Sequence, residues 1–128
     1  PRTSANAHLF LKAVELSHSP QDSIMLALSL RTAFFVEAKD IGNYEVLMKV
    51  STGSGLDENR ISQTIMDGSA LAALMSDYQM ANEQAIKGSP SYVMDGGRQT
   101  LYGNVGYRVL QANIKELLNN QKDKASWC

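Results

Sequence analysis

The 128-residue sequence has little of several residue types on which specialised proteins depend. Its single cysteine, Cys128, excludes an internal disulfide and a cysteine-rich zinc site within the chain. No apolar run approaches the roughly 20 residues that a membrane-spanning helix needs. Twelve basic and thirteen acidic residues give a net charge of −1, which gives no electrostatic sign of binding to nucleic acid or to an anionic membrane. We therefore expect no nucleic acid, no membrane, no metal and no cofactor among its partners.

Proline is also scarce, and its positions favour a mostly helical chain. The three prolines stand at positions 1, 20 and 90, so that nothing between the last two forbids continuous helix. Apolar periodicity predicts a first helix over about residues 4–17 and a second over about residues 20–38. The second is apolar on nearly all sides, which is typical of a helix that is covered on nearly all sides. We expect it to form the centre of a helical cluster.

Three further helices are predicted before residue 88. Asn43, Asp57 and Ser69 are residue types that commonly stand at helix N-termini. Gly55 and Gly68 are typical of helix ends, because glycine tolerates a left-handed backbone. In the last of the three helices we expect a buried apolar face and a solvated Asp77; the face comprises Leu71, Leu74, Met75 and Tyr78.

The periodicity changes at Gly88. Two short β-prone runs around Asp95-Gly96 predict a β-hairpin with a type I′ turn. A final helix follows, with an apolar face formed by Tyr107, Leu110, Ile114 and Leu117. Because a sheet of two strands is only marginally stable, the open edge of the hairpin needs another strand, a covering element or a second chain. We expect a second copy of the chain to cover this edge, giving a homodimer.

Two short motifs have simple structural interpretations. Gly53-Ser54-Gly55 lacks the preceding strand and the Gly-Lys-Ser/Thr of a phosphate loop, so we interpret it as a helix stop. His8 and His18 lack clustered cysteine or carboxylate partners, which predicts surface or capping roles rather than a metal site. Gly88-Ser89-Pro90-Ser91 is different, since it lies between a long helix and a strand. A proline is permitted at the start of a strand. The spacing of the motif alone is compatible with either a trans or a cis Ser89–Pro90 bond.

The order helix, proline loop, hairpin, helix resembles the C-terminal half of DsbA-family thioredoxin-fold proteins, nearest to the FrnE-like or 2-hydroxychromene-2-carboxylate isomerase-like group. The residues that carry the resemblance are Ile86-Lys87-Gly88-Ser89-Pro90-Ser91-Tyr92-Val93-Met94-Asp95-Gly96, supported by residues 35–42, by Leu56-Asp57 and by residues 5–13. It implies an incomplete α/β thioredoxin-like fold that is mostly helical, with about five helices of the DsbA-type insertion before the hairpin and C-terminal helix.

The same resemblance implies a division of the chain and a binding loop. Residues 1–87 would form the helical insertion and return helix, residues 88–120 the thioredoxin-fold segment, and residues 121–128 a polar tail. Gly88, Ser89, Pro90 and Ser91 would bind the substrate, with Pro90 as a cis-proline facing the redox site. The family's Cys-x-x-Cys pair precedes this region and is absent, so no catalytic residue is expected in the chain.

These considerations predict a fragment of a thiol–disulfide oxidoreductase that is inactive alone, because exchange needs a thiolate attacker and Cys128 has no cysteine partner. Its partner would be a protein dithiol or disulfide, and its compartment the cytoplasm. Two alternatives stay open. One is a relative of glutathione-dependent isomerases or kappa-class transferases, whose loop would bind a glutathione-type substrate. The other is a non-catalytic, dimeric binding module.

Overall fold

The computed structural model describes residues 3–119; the predicted polar tail and Cys128 lie outside this range. The predicted order of five helices, a hairpin and a final helix is confirmed. The elements are α1 (Ala5–Ser17), α2 (Pro20–Phe35), α3 (Tyr44–Gly53), α4 (Glu58–Met66), α5 (Ser69–Glu83), β1 (Ser91–Met94), β2 (Gln99–Tyr102) and α6 (Tyr107–Leu118). The chain divides into two compact units, of which the first ends at Gln79 and the second begins at Met80.

Local sequence signals set the helix ends. The side chains of Ser19, Asn43 and Asp57 each accept a hydrogen bond from a backbone N–H two or three residues ahead, at donor–acceptor distances of 2.9–3.2 Å. These bonds satisfy first-turn amides that have no partner within the helix. Gly55 and Gly68 have φ angles of +84° and +81°, in the left-handed region that favours glycine. The caps predicted at Asn43 and Asp57 and the stops predicted at Gly55 and Gly68 are therefore confirmed, whereas Ser69 is the first residue of α5 itself.

The core of the first unit surrounds α1. Phe10, Ala13 and Val14 are fully buried, and α1 contacts α2, α3 and α4. The Phe10 ring packs edge-on against Tyr44 with ring centroids 4.9 Å apart. The other helices supply fully or nearly fully buried side chains to the same cluster, namely Leu26 and Leu30 from α2, Leu47 from α3 and Ile61 from α4.

The expectation that α2 forms the centre is wrong. Only Leu26, Leu30 and Ala33 of this helix are buried, and its opposite side is exposed. The buried side of α1 includes the small residues Ala7, Ala13 and Ser17, which let neighbouring helices approach closely. The predicted buried face of α5 is also largely exposed: Leu71 and Met75 are 52% exposed and Tyr78 68%.

An ion-paired lysine joins α5 to α1. Lys12 Nζ lies 2.7 Å from Asp77 Oδ2 and 2.9 Å from Glu15 Oε2. Burial opposes the charged ammonium, but hydrogen bonds and attraction from the two carboxylates outweigh it and raise the pKa of Lys12 above its ordinary value. Asp77 was predicted to be solvated; it is exposed, and it also forms this ion pair with Lys12.

His18 joins the end of α1 to the start of α4, which confirms the predicted capping role. Its Nε2 accepts a hydrogen bond from the Asp57 backbone N–H at 3.1 Å, and its Nδ1 lies 2.7 Å from Ser17 Oγ. The Arg60 guanidinium donates to the Ser17 carbonyl beside it. His8 is exposed on α1. Within residues 3–119, no group of three or more histidine, cysteine or acidic side chains is arranged to hold a metal ion.

We predict that Phe10→Ala lowers the free energy of unfolding by about 3–5 kcal/mol, because it removes a fully buried ring from the centre of the core. The matched control is Met66→Ala, since Met66 is 85% exposed and its change should stay within about 0.5 kcal/mol. Urea unfolding followed by circular dichroism measures both. Equal effects of the two substitutions would contradict the proposed core.

A second prediction concerns pH. Asp67 Oδ1 accepts two hydrogen bonds from Ser69, one from its hydroxyl at 2.5 Å and one from its backbone N–H at 2.9 Å. These two hydrogen bonds lower the pKa of Asp67 below its usual range, and the bond from the hydroxyl has the larger effect. This stabilisation is present above the ordinary aspartate pKa of about 3.9 and is lost as pH falls through the lowered value.

We therefore expect the melting-temperature advantage of the wild type over Asp67→Ala to shrink as the pH is lowered from neutrality to below the pKa of Asp67. An NMR titration of the Asp67 carboxyl should show a lowered pKa that moves back towards its ordinary value in Ser69→Ala. An Asp67 pKa unchanged by Ser69→Ala would contradict the assignment.

Candidate functional site

The predicted substrate loop is a surface turn between α5 and β1. Gly88, Ser89 and Pro90 are exposed and Ser91 is half-buried. The Ser91 hydroxyl donates a hydrogen bond to the Gly88 carbonyl, which closes the turn. The Ser89–Pro90 peptide bond is cis. The structure thus brings all four predicted residues together in one exposed turn.

The loop continues directly into the hairpin. β1 and β2 are antiparallel, with Ser91 opposite Tyr102 at one end and Met94 opposite Gln99 at the other. The Gly103 backbone N–H donates to the Pro90 carbonyl at 2.9 Å, so the pairing extends one step beyond the strands into the loop. Gly103 was not predicted as a site residue. Its signal in the sequence is a glycine directly after β2, where φ is +78°.

The predicted two-residue turn at Asp95-Gly96 is wrong. Four residues, 95–98, connect the strands, because Met94 pairs with Gln99. Asp95, Gly96 and Gly97 all have positive φ angles, of 49°, 63° and 95°. Asp95 makes two contacts with Arg98 in this conformation. The Arg98 backbone N–H donates a hydrogen bond to the Asp95 carbonyl at 3.2 Å, and Arg98 Nε lies 3.3 Å from Asp95 Oδ2. The second glycine permits the longer connection.

Both faces of the hairpin remain partly open. Within residues 3–119 the sheet has two strands, and every residue of β1 is half-buried. α6 contains no buried residue; Tyr107 and Ile114, on its predicted apolar face, are 74% and 47% exposed. The side-chain oxygen of Gln99 is enclosed but has no hydrogen-bond donor in the described part of the chain.

The loop offers no redox group. The sequence has its only cysteine at position 128, so residues 3–119 contain no thiolate that could attack a disulfide. What the turn presents to solvent is backbone donors and acceptors beside the Ser89 hydroxyl, and an extended peptide could pair with these groups by strand addition. None of the described helices is long and apolar enough to cross a membrane.

Comparisons with known proteins agree with this architecture. A family model described as Thioredoxin matches residues 2–109. The ClpXP adapter protein SpxH of Shouchella clausii (strain KSM-K16) is 31% identical over 87 residues, which make up 68% of this chain and 29% of that protein.

A solved structure of a "putative protein disulfide isomerase" from Nitrosomonas europaea is also similar, with a TM-score of 0.79 at 19% identity over 91% of this chain. At that identity the likeness shows the fold alone, and that fold is thioredoxin-like and mostly helical. This chain spans 58% of the Nitrosomonas structure and 29% of the Shouchella protein.

Proposed function

The chain belongs to the thioredoxin family, and on that premise we propose that it is part of a DsbA-type thiol–disulfide oxidoreductase. The observation that carries the proposal is the exposed Gly88–Ser91 turn, which leads directly into a strand. The disulfide isomerase description of the Nitrosomonas structure supports the same class of chemistry. In this function the turn holds the backbone of a protein dithiol or disulfide substrate.

The chain's part in the reaction is binding. In thiol–disulfide exchange a thiolate attacks one sulfur of a disulfide, forms a mixed disulfide and releases the second sulfur as a thiolate. Residues 3–119 supply no such thiolate. The redox cysteines of the proposed oxidoreductase therefore lie outside these residues. The Ser89 N–H and C=O pair with an extended substrate segment and hold its disulfide in place for attack.

This function predicts that Ser89→Pro in the whole parent protein raises the KM for a protein disulfide, such as insulin, about two- to tenfold, because one backbone donor is lost. Ser89→Ala is the matched control: it removes the hydroxyl, keeps the N–H and should leave KM unchanged. Thermal melting checks that both variants fold. The 128-residue chain alone, with or without Cys128→Ser, should show no turnover.

Three results would contradict the proposal. The first is an equal KM in Ser89→Pro and the parent protein. The second is turnover by the chain alone that Cys128→Ser abolishes, since this would make Cys128 the reacting thiol. The third is glutathione-dependent isomerase activity of the parent in place of disulfide exchange, which would favour the glutathione-binding alternative.

We also propose that the isolated chain forms a two-fold dimer through its hairpin. Support comes from the two-stranded sheet and from the exposed apolar residues of α6. An open strand edge pairs readily with another chain, and a two-fold axis lets one surface serve both copies. Sedimentation equilibrium at micromolar concentration should give twice the chain mass. A monomer with a cooperative melt would contradict the dimer.

A further inference from the structure

The outer face of α2 is apolar and exposed. Ile24, Leu28 and Phe35 recur at helical spacing on one side of the helix and are 58%, 52% and 77% exposed. Met25 and Val36 lie beside them and are 54% and 78% exposed. Side chains of this size together expose on the order of 500 Å², as much as the largest apolar patches of typical soluble monomers, which often bind partners.

A small pocket adjoins this face. It lies between α1 and α2 and has a volume of about 130 Å³. Leu11, Leu30, Phe34 and Ile41 form part of its apolar lining. Phe35 also lines the pocket and packs edge-on against Phe34, with ring centroids 4.8 Å apart. Because a cavity of about 150 Å³ holds a benzene-sized molecule, this pocket has room for one apolar side chain.

One cation lies among these apolar groups. Arg31 is exposed, lines the pocket and falls on the same side of α2 as Ile24 and Phe35. It makes no ion pair with any residue between 3 and 119, and no acidic side chain lines the pocket. An exposed guanidinium beside an apolar pocket favours a ligand that combines an apolar side chain with a carboxylate.

We propose that this surface, which comprises Ile24, Leu28, Arg31, Phe35 and the adjoining pocket, binds an apolar peptide segment that carries an acidic residue. One apolar side chain of the segment fills the pocket, and the carboxylate pairs with Arg31. A second copy of the chain fits less well, because two-fold packing along this face would bring the two Arg31 side chains towards each other without an acidic partner. The proposal does not depend on the Gly88–Ser91 loop or on redox chemistry.

The test measures binding, with no turnover involved. The probe is a short fluorescein-labelled peptide with leucine and phenylalanine at helical spacing and a central glutamate, compared with versions that have glutamine or lysine there. Fluorescence anisotropy with the 128-residue chain should show the glutamate peptide binding about two- to fivefold tighter than the glutamine peptide. The lysine peptide should bind most weakly.

Matched variants separate the two components of the surface. Leu28→Ser should weaken all three peptides about tenfold, by loss of apolar contact. Arg31→Gln should remove the preference for glutamate and leave the glutamine peptide nearly unaffected. Lys49→Gln is the control, because Lys49 is an exposed cation of the same unit outside this surface, and it should change none of the three affinities.

Three outcomes would overturn the proposal. One is the absence of saturable binding of the glutamate peptide. Another is a preference for glutamate that survives Arg31→Gln. The third is self-association of the chain that Leu28→Ser abolishes, which would assign the surface to a second copy. Melting temperatures of the variants should match the wild type, since the substituted side chains are exposed.

Discussion

The burial of one face of α1 is the constraint on which the helical unit depends. Phe10, Ala13 and Val14 are inaccessible to solvent, and the three helices that contact α1 direct their own buried side chains to the same cluster. Among the described residues of this unit, Ala33 is the one buried apolar residue outside that cluster. The loss of one large side chain from α1 would therefore remove contacts from several helices at once, whereas the exposed sides of α2 and α5 contribute little to the core.

Two polar contacts link α1 to the helices around it. His18 links the C-terminus of α1 to the first turn of α4, and Lys12 links α1 to α5 through Asp77. Each contact contributes on the order of 1 kcal/mol by itself, which is the usual net value of one hydrogen bond or one surface ion pair. Their effect is on register, because a slipped helix would leave the Asp57 amide or the Lys12 ammonium without its partner. The apolar core provides the stability, and these bonds select one arrangement.

Sequence predicted what short segments determine by themselves. Asn43 and Asp57 cap their helices because a side-chain oxygen reaches an amide two or three residues away, whatever the rest of the chain does. The position of α2 was predicted wrongly, because apolar periodicity shows that a helix can be buried and does not show which helix the others surround. The answer depended on the small residues of α1, which allow close approach from several sides.

The candidate site shows the same distinction. The place of residues 88–91 between α5 and β1 could be predicted because it follows from a local pattern, whereas their binding of a substrate stays a prediction. The contact from Gly103 to the Pro90 carbonyl depends on strand register, and the register depends on a four-residue connection that the Asp95-Gly96 pair did not indicate. A glycine directly after a short strand has many possible roles, so this signal alone does not place Gly103 beside the loop.

The two units differ in how many buried residues stabilise them. Every buried residue of the described chain lies at or before Ala70, whereas no described residue from Met80 onward is buried. A two-stranded sheet is marginal by itself, so the order of β1 depends on whatever covers the hairpin and α6. In the proposed function, binding of a peptide substrate would not have to supply the free energy of ordering β1 if that strand were already held in the extended form. The affinity of the Gly88–Ser91 turn for an extended peptide should therefore increase when the exposed apolar surface of α6 is covered, although the turn itself makes no new contact.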